Sequence, residues 1–337
     1  MTERALAAWK SLYDVVDSFR QLEPWTFLYS DQLCAIVPQD EEFWGCTVLG
    51  SAGMERGLTL RSGQRAVENY IQMMDERTSE PMRRFLQRDA EQTLIFWSDR
   101  EELSTGQRDT IKACGHKYRG RGEWPLCLSC RPGYTPETPD VEEIERVLPV
   151  LQRFYELCLA VKRGEHPFDK DALNSDEILM RAYTEAESRW TNLLVRRGPV
   201  TVSLNRITLS DEVQVRRLKK AERLQGEWEM DLVYLNVPTQ EEGYARPINP
   251  LMLILADEDS GMILDQELLG PDDDRIWHMI NLLGTSILNL GRPRGLRVRN
   301  FYVTQAVEDL CAQCGIKLMQ KSSRLPTLDA FLKDMLF

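Results

Sequence analysis

The sequence predicts an α+β protein of two domains, and three observations carry that reading. A chain of 337 residues is long enough to bury two cores of ordinary size. Its 42% apolar and 28% charged residues match a soluble globular protein. Segments of helical and period-two patterning follow one another through both halves, with no internal repeat and no low-complexity tract. The pattern places a mixed α+β domain over residues 1–164, connecting strands over 165–209, and a mixed sheet with flanking helices over 210–337.

The first segment sets Leu6, Trp9, Leu12, Tyr13, Val16 and Phe19 on one broad face, the stripe of a helix packed on a sheet. "PWTFLY", "QLCAIVP", "FWGCTVLG" and "RGLTLRSG" are short runs rich in β-branched and aromatic residues, broken by Gly, Asp and Pro, and read as an antiparallel meander. "SGQRAVENYIQMMDE" starts a helix with Ser62 as N-cap and aligns Ala66, Tyr70, Met73 and Met74. "TLIFWSD" is a further strand, and "TGQRDTIKACG" a short helix ended by Gly115. Three prolines make "RPGYTPETPD" a loop. Asp140 and Glu143 then form a capping box for a helix carrying Ile144, Val147, Leu148, Leu151, Tyr155 and Cys158.

Beyond Gly164, the alternation of "ILMRAYTEAESRWTNLLVRR" and "VTVSLNRITLS" suggests connecting strands, with helix the alternative for the first part. A helix beginning at Ser210 has Asp211 and Glu212 in its first turn and Lys219, Lys220 and Arg223 near its end, charges that complement the helix dipole. "WEMDLVYLNV" and "PLMLILADEDSGMILDQELLG" then supply three strands. The helix "DDRIWHMINLLGTSILNLG", the strand "LRVRN", the helix "VTQAVEDLCAQCG", the strand "IKLMQ" and the helix "TLDAFLKDMLF" complete the order expected of a mixed sheet with helices on its faces.

Composition narrows the function. No apolar run approaches the 18 or so residues that span a bilayer, and the first residues lack a basic region followed by an apolar stretch, so neither a membrane protein nor a secretion signal is expected. Eight scattered cysteines point to reduced thiols in a cytoplasm. A formal charge of −11 disfavours general affinity for nucleic acid, which would need a local basic patch.

Several motifs carry possible chemistry. Cys114, His116, Cys127 and Cys130 offer four ligands of the type that closes a tetrahedral zinc site. The competing reading is a buried strand in which Cys127 and Ser129 alternate with Leu126 and Leu128, cysteine serving as a small apolar side chain. Gly50, Gly53 and Gly57 fit a tight turn between strands better than a phosphate loop, since no Lys-Ser/Thr and no helix follow. Cys311 and Cys314 lie toward the C-terminal end of a helix, where no dipole lowers a thiol pKa. Arg292, Arg294, Arg297 and Arg299 are a dense basic run, with Arg297 and Arg299 on one side of a strand, and would hold phosphates or form a solvated edge. His166 and His278 have no nearby nucleophile.

The stretches "CTVLGSAGMERGLTL" and "KYRGRGEWPLCLSCRPGY" resemble the N-terminal domain of an uncharacterised bacterial family of unknown function, whose pattern has an Arg-Gly turn, Trp-Pro and "FRSYRPGY". Aromatic residues stand there at the positions of Cys127 and Cys130. The resemblance therefore implies packing at these sites in place of zinc ligation. From Trp228 onward the order resembles the ribonuclease H-like core of integrases and transposases. That resemblance implies a first metal-binding carboxylate at Asp231, a hairpin at "DEDSGMIL" with Asp257 and Asp259, and a second carboxylate where Asn300 stands. No Glu follows Glu308, and Asp329 and Asp334 do not match the third carboxylate. Two-metal catalysis needs anionic oxygens bridging ions about 3.5–4 Å apart, so a neutral amide at that position implies a fold kept without its chemistry.

The expectation is thus a cytosolic, two-domain, non-catalytic binding or scaffold module with an unknown protein partner and no cofactor. The alternatives are a Mg- or Mn-dependent nuclease or strand-transfer enzyme using Asp231, Asp257 and Asp259, and a nucleic-acid binder working through the arginine run without hydrolysis.

Overall fold

The computed structural model describes the chain except residues 40–41, 54, 166–176, 186–187, 197–206, 321–323 and 337, and the side chains of residues 334–336. Two compact units divide it. The first comprises residues 1–74, 89–132 and 136–200, the second residues 75–88, 133–135 and 201–337. Each has its own sheet with flanking helices, which makes the chain α+β.

In the first unit, helix α1 (Glu3–Leu22) begins where Thr2 accepts a hydrogen bond from the Ala5 amide at 3.2 Å and ends where Glu23 turns left-handed at φ 52°. Strands β1 (Cys34–Val37), β2 (Trp44–Leu49), β3 (Gly57–Ser62), β4 (Gln92–Ser98) and β5 (Trp124–Cys130) form an antiparallel meander. The glycine stretch is the hairpin between β2 and β3, with Gly50 at φ 110° and Gly53 at φ 75°, so it is a turn. Helix α2 (Gly63–Met74) follows directly. Ser62, expected as its N-cap, instead closes β3 and donates its hydroxyl to Glu42 at 2.8 Å.

Helix α4 (Thr105–Ala113) starts at a Ser104 and Gln107 capping box, and α5 (Val141–Lys162) at the Asp140 and Glu143 box legible in the sequence. Reciprocal caps of this kind satisfy amides that the first turn would leave open. Phe19 of α1 meets Phe154 of α5 with ring centroids 5.4 Å apart, in a core with Val16, Leu58, Leu60 and Ile95. Each such side chain contributes about 1.5–3 kcal/mol by leaving water.

Strands β6 (Glu177–Thr184) and β7 (Arg189–Arg196) fall in the stretch read as connecting strands. They belong to this first sheet: β6 runs parallel to β1 in register Cys34↔Leu179, and β7 pairs with β6 as a hairpin. The full order is β5-β4-β3-β2-β1-β6-β7. Most of "VTVSLNRITLS" lies outside the described residues.

The second unit contains α3 (Glu80–Arg88), a helix the sequence reading passed over, and α6 (Glu212–Lys220), capped by Asp211 through the Val213 and Gln214 amides. Its sheet is built from β8 (Glu227–Tyr234), β9 (Leu251–Asp257), β10 (Met262–Leu269), β11 (Gly295–Val298) and β12 (Lys317–Met319), in the order β10-β9-β8-β11-β12. The β8, β9 and β10 pairings are antiparallel, and β11 is parallel to both β8 and β12. Helices α7 (Arg275–Leu290), α8 (Phe301–Cys314) and α9 (Pro326–Leu336) complete it. Leu325 and Leu328 of the α9 region pack on Met252, Ile254 and Ala256, which brings α9 onto one face of β8 and β9.

Among the described residues no helix is long and apolar enough to cross a membrane.

Candidate functional site

At the centre of the second sheet, Glu227, Glu229 and Asp231 alternate with Trp228, Met230 and Leu232 along β8. Period two sends the three acids to one face. The neighbouring β11 runs parallel in the register Val298↔Met230, and this brings Arg297 and Arg299 to the same face, as their spacing predicts.

The charges close on one another. Arg299 Nε donates to Asp231 Oδ2 at 2.6 Å, and its Nη1 donates to Asp329 of α9, also at 2.6 Å. The Asp231 and Arg299 side chains are each 2% exposed. Arg297 Nη2 donates to Glu227 at 2.9 Å and its Nε lies 2.8 Å from Glu258. Arg294 donates to Glu227 at 2.7 Å, and Arg292 to the carbonyls of Ala221 and Cys314 at 3.2 and 2.7 Å. The arginine run is therefore not an open row of phosphate ligands, because every member has an internal acceptor.

Burial governs the protonation of this layer. It pushes the Asp231 carboxyl upward, and Arg299 offsets that only in part. Burial also works against the Arg299 cation, but Asp231 and Asp329 outweigh it and hold the guanidinium above its ordinary value. Glu229 is raised by burial as well. Its Oε2 accepts from the Leu328 amide at 3.0 Å, while Oε1 has no hydrogen-bond partner among the described residues. The hydrogen bond from Arg294 pulls Glu227 below the usual carboxylate range.

The other carboxylates singled out in the sequence do not join this layer. Asp257 pairs across from Trp228, so it lies on the face opposite Asp231. There it accepts from the Ser260 amide at 2.9 Å and hydroxyl at 2.6 Å, closing the hairpin turn that carries exposed Asp259. Asn300 is 1% exposed, caps α8 by accepting from the Tyr302 amide at 3.0 Å, and donates to the Leu232 carbonyl at 3.3 Å. The sequence reading passed over Glu227 and Glu229, and it set Asp329 aside. The period-two acids of "EWEMD" were the available signal.

The cysteine set also separates. Cys127 and Cys130 lie three residues apart on β5 and so project to opposite faces. Cys114 caps the end of α4. His116 is engaged with Asp17 at 3.1 Å and Asp14 at 3.4 Å. Burial pushes the Cys127 and Cys130 thiols up to about 12 and raises Cys114 too. Cys311 and Cys314 are buried in α8 and likewise raised by burial. Among the described residues no group of three or more His, Cys, Asp or Glu is placed to hold a metal ion. His278 bonds Glu267 at 2.8 Å, and His166 lies outside the described residues.

The fold and this layer define a two-unit α+β protein whose second sheet carries a layer of acids and internally paired arginines. The family described as Domain of unknown function (DUF7309) matches residues 9–181, and the chain belongs to it. A second description, Domain of unknown function (DUF6930), matches residues 214–336. The expectation of a family of unknown function is thereby met. No curated protein matches the chain.

Proposed function

We propose that this is a non-catalytic binding or scaffold protein of the cytoplasm, whose second unit is a ribonuclease H-like core with its metal chemistry replaced by an ion pair. The observation that carries the reading is Arg299, whose guanidinium occupies the space between Asp231 and Asp329. A divalent ion at Asp231 would have to displace a cation that is itself buried. Moving either charge without its partner costs several kcal/mol.

The strand order supports the core assignment. Numbered within the unit, it is 3-2-1-4-5, with three antiparallel strands followed by two parallel ones. Asn300 supports the loss of chemistry, since its amide is used to cap α8 and hold Leu232. The reading requires neither magnesium nor zinc. Eight buried, unpaired thiols favour a reducing compartment, and a protein partner would be recruited through surfaces other than this closed layer.

The test is incubation of the full chain with single- and double-stranded DNA and RNA in the presence of Mg²⁺ or Mn²⁺. The expected result is no hydrolysis and no strand transfer. Cleavage that disappears in Asp231→Asn would establish the nuclease alternative and end this reading.

A further inference from the structure

The first unit holds a groove of about 550 Å³ between α4 and the loop that follows it. Arg100, Arg108, Lys112, Lys117 and Arg119 line it, and Asp109 is its one carboxylate. Five cations less one anion leaves an excess of four positive charges in a chain whose net charge is −11. The local sign therefore runs against the composition of the whole.

The cations are of two kinds. Arg108 is anchored, donating to the carbonyls of Leu103 and Arg100 and, at 3.1 Å, to the Thr105 hydroxyl. Arg100 lies over the Trp124 ring at 5.8 Å. Lys112, Lys117 and Arg119 make no hydrogen bond or ion pair with any described side chain. The arginines of the second unit's charged layer, by contrast, are consumed by internal acceptors. Cations gathered in one concavity repel unless an anion joins them. The buried side chains of Ile111 and Tyr118 and the half-buried Trp124 give the groove an apolar lining beside that charge.

We propose that this groove binds a small anion carrying two or more linked phosphates. Its volume suits a molecule of nucleotide size. Lysine and arginine provide point-charge and forked recognition of phosphate oxygens, and Trp124, with Arg100 over its ring, adds an apolar wall for a ligand that also bears a ring. The site lies wholly in the first unit, so its failure would leave the reading of Asp231 and Arg299 untouched.

The experiment is calorimetric titration of the full chain at low ionic strength with ATP, inorganic tripolyphosphate and a single-stranded 12-mer DNA. Saturable binding of ATP and tripolyphosphate is expected, weakening steeply as salt is raised. Equal affinity for the two assigns the site to the phosphate chain alone, and tighter ATP binding adds a contact to the base; both support the proposal. Lys117→Glu with Arg119→Glu should lower affinity at least tenfold at unchanged melting temperature. Lys117→Gln with Arg119→Gln serves if the reversed variant does not fold. Lys219→Glu with Lys220→Glu on α6 should bind like the parent. No saturation by either small ligand, binding of the 12-mer alone, or an equal loss in the α6 variant would overturn the site.

Discussion

Arg299, the residue that follows β11, and Asp231 of the adjacent parallel strand β8 form a 2.6 Å ion pair, with each side chain only 2% exposed. Desolvating two charges costs more than an exposed pair returns, so the arrangement holds because both are present. Arg299→Met should destabilise the second unit by about 3–5 kcal/mol, since Asp231 is then buried without a counter-ion. Asp231→Leu should cost less, because Arg299 keeps its 2.6 Å ion pair with Asp329. The double variant should recover a large part of both losses, and denaturation midpoints of the four proteins measure the coupling. Strictly additive costs would show that the two side chains do not act together.

Asn300→Asp places a carboxylate where the proposed ribonuclease H-like reading calls for one. It keeps the acceptor for the Tyr302 amide but turns an anionic oxygen toward the Leu232 carbonyl, where the amide now donates at 3.3 Å. A loss of about 1–3 kcal/mol is expected, with no gain of Mg²⁺-dependent hydrolysis. Acquired nuclease activity in this variant would contradict the account of Arg299.

Glu229 makes stability depend on pH. Its folded pKa is raised by burial, so the folded state holds the proton more tightly than the unfolded chain. Its favourable contribution is complete below the ordinary glutamate value of about 4.3 and is lost as pH rises through the higher folded value. Glu229→Gln should therefore melt above the parent at pH 8 and close to it at pH 4. Parallel melting curves across that range would show that Glu229 does not carry this dependence.

All eight cysteines are buried and unpaired. With thiols such as Cys34, Cys127 and Cys130 pushed up to about 12, little thiolate exists at neutral pH. An aromatic disulfide reagent should label the native protein slowly and the denatured protein at all eight positions. Chelator treatment should leave the melting temperature unchanged, and a fall on adding chelator would revive the zinc reading of Cys114, His116, Cys127 and Cys130.

Much of the secondary structure was legible because its signals are local. The capping box of Asp140 and Glu143, the apolar stripe from Trp9 to Phe19 and the glycine hairpin at Gly50 each depend on residues a few positions apart. Helix α3 was not legible: it is short, and "EPMRRFLQR" has only Met82, Phe85 and Leu86 to mark its buried side. The placement of β6 beside β1 was hidden too, since a parallel pairing across so many residues leaves no turn to read.

The candidate site shows the same division. Period two along β8 already places Glu227, Glu229 and Asp231 on one side, and the spacing of Arg297 in β11 and Arg299 just after it does the same for the arginines. Asp257 looked like a partner for Asp231 only while the strand register was unknown; its pairing with Trp228 puts it on the other face.

Sequence alone determined the α+β class, the alternation of acids and arginines, and the amide at Asn300, because each follows from residue type and short-range periodicity. Tertiary structure decided that Arg299 sits between Asp231 and Asp329 and that the basic residues around Lys117 surround a groove. Charge interactions fall off with distance and depend on burial, and neither quantity exists until strands far apart in the chain have paired.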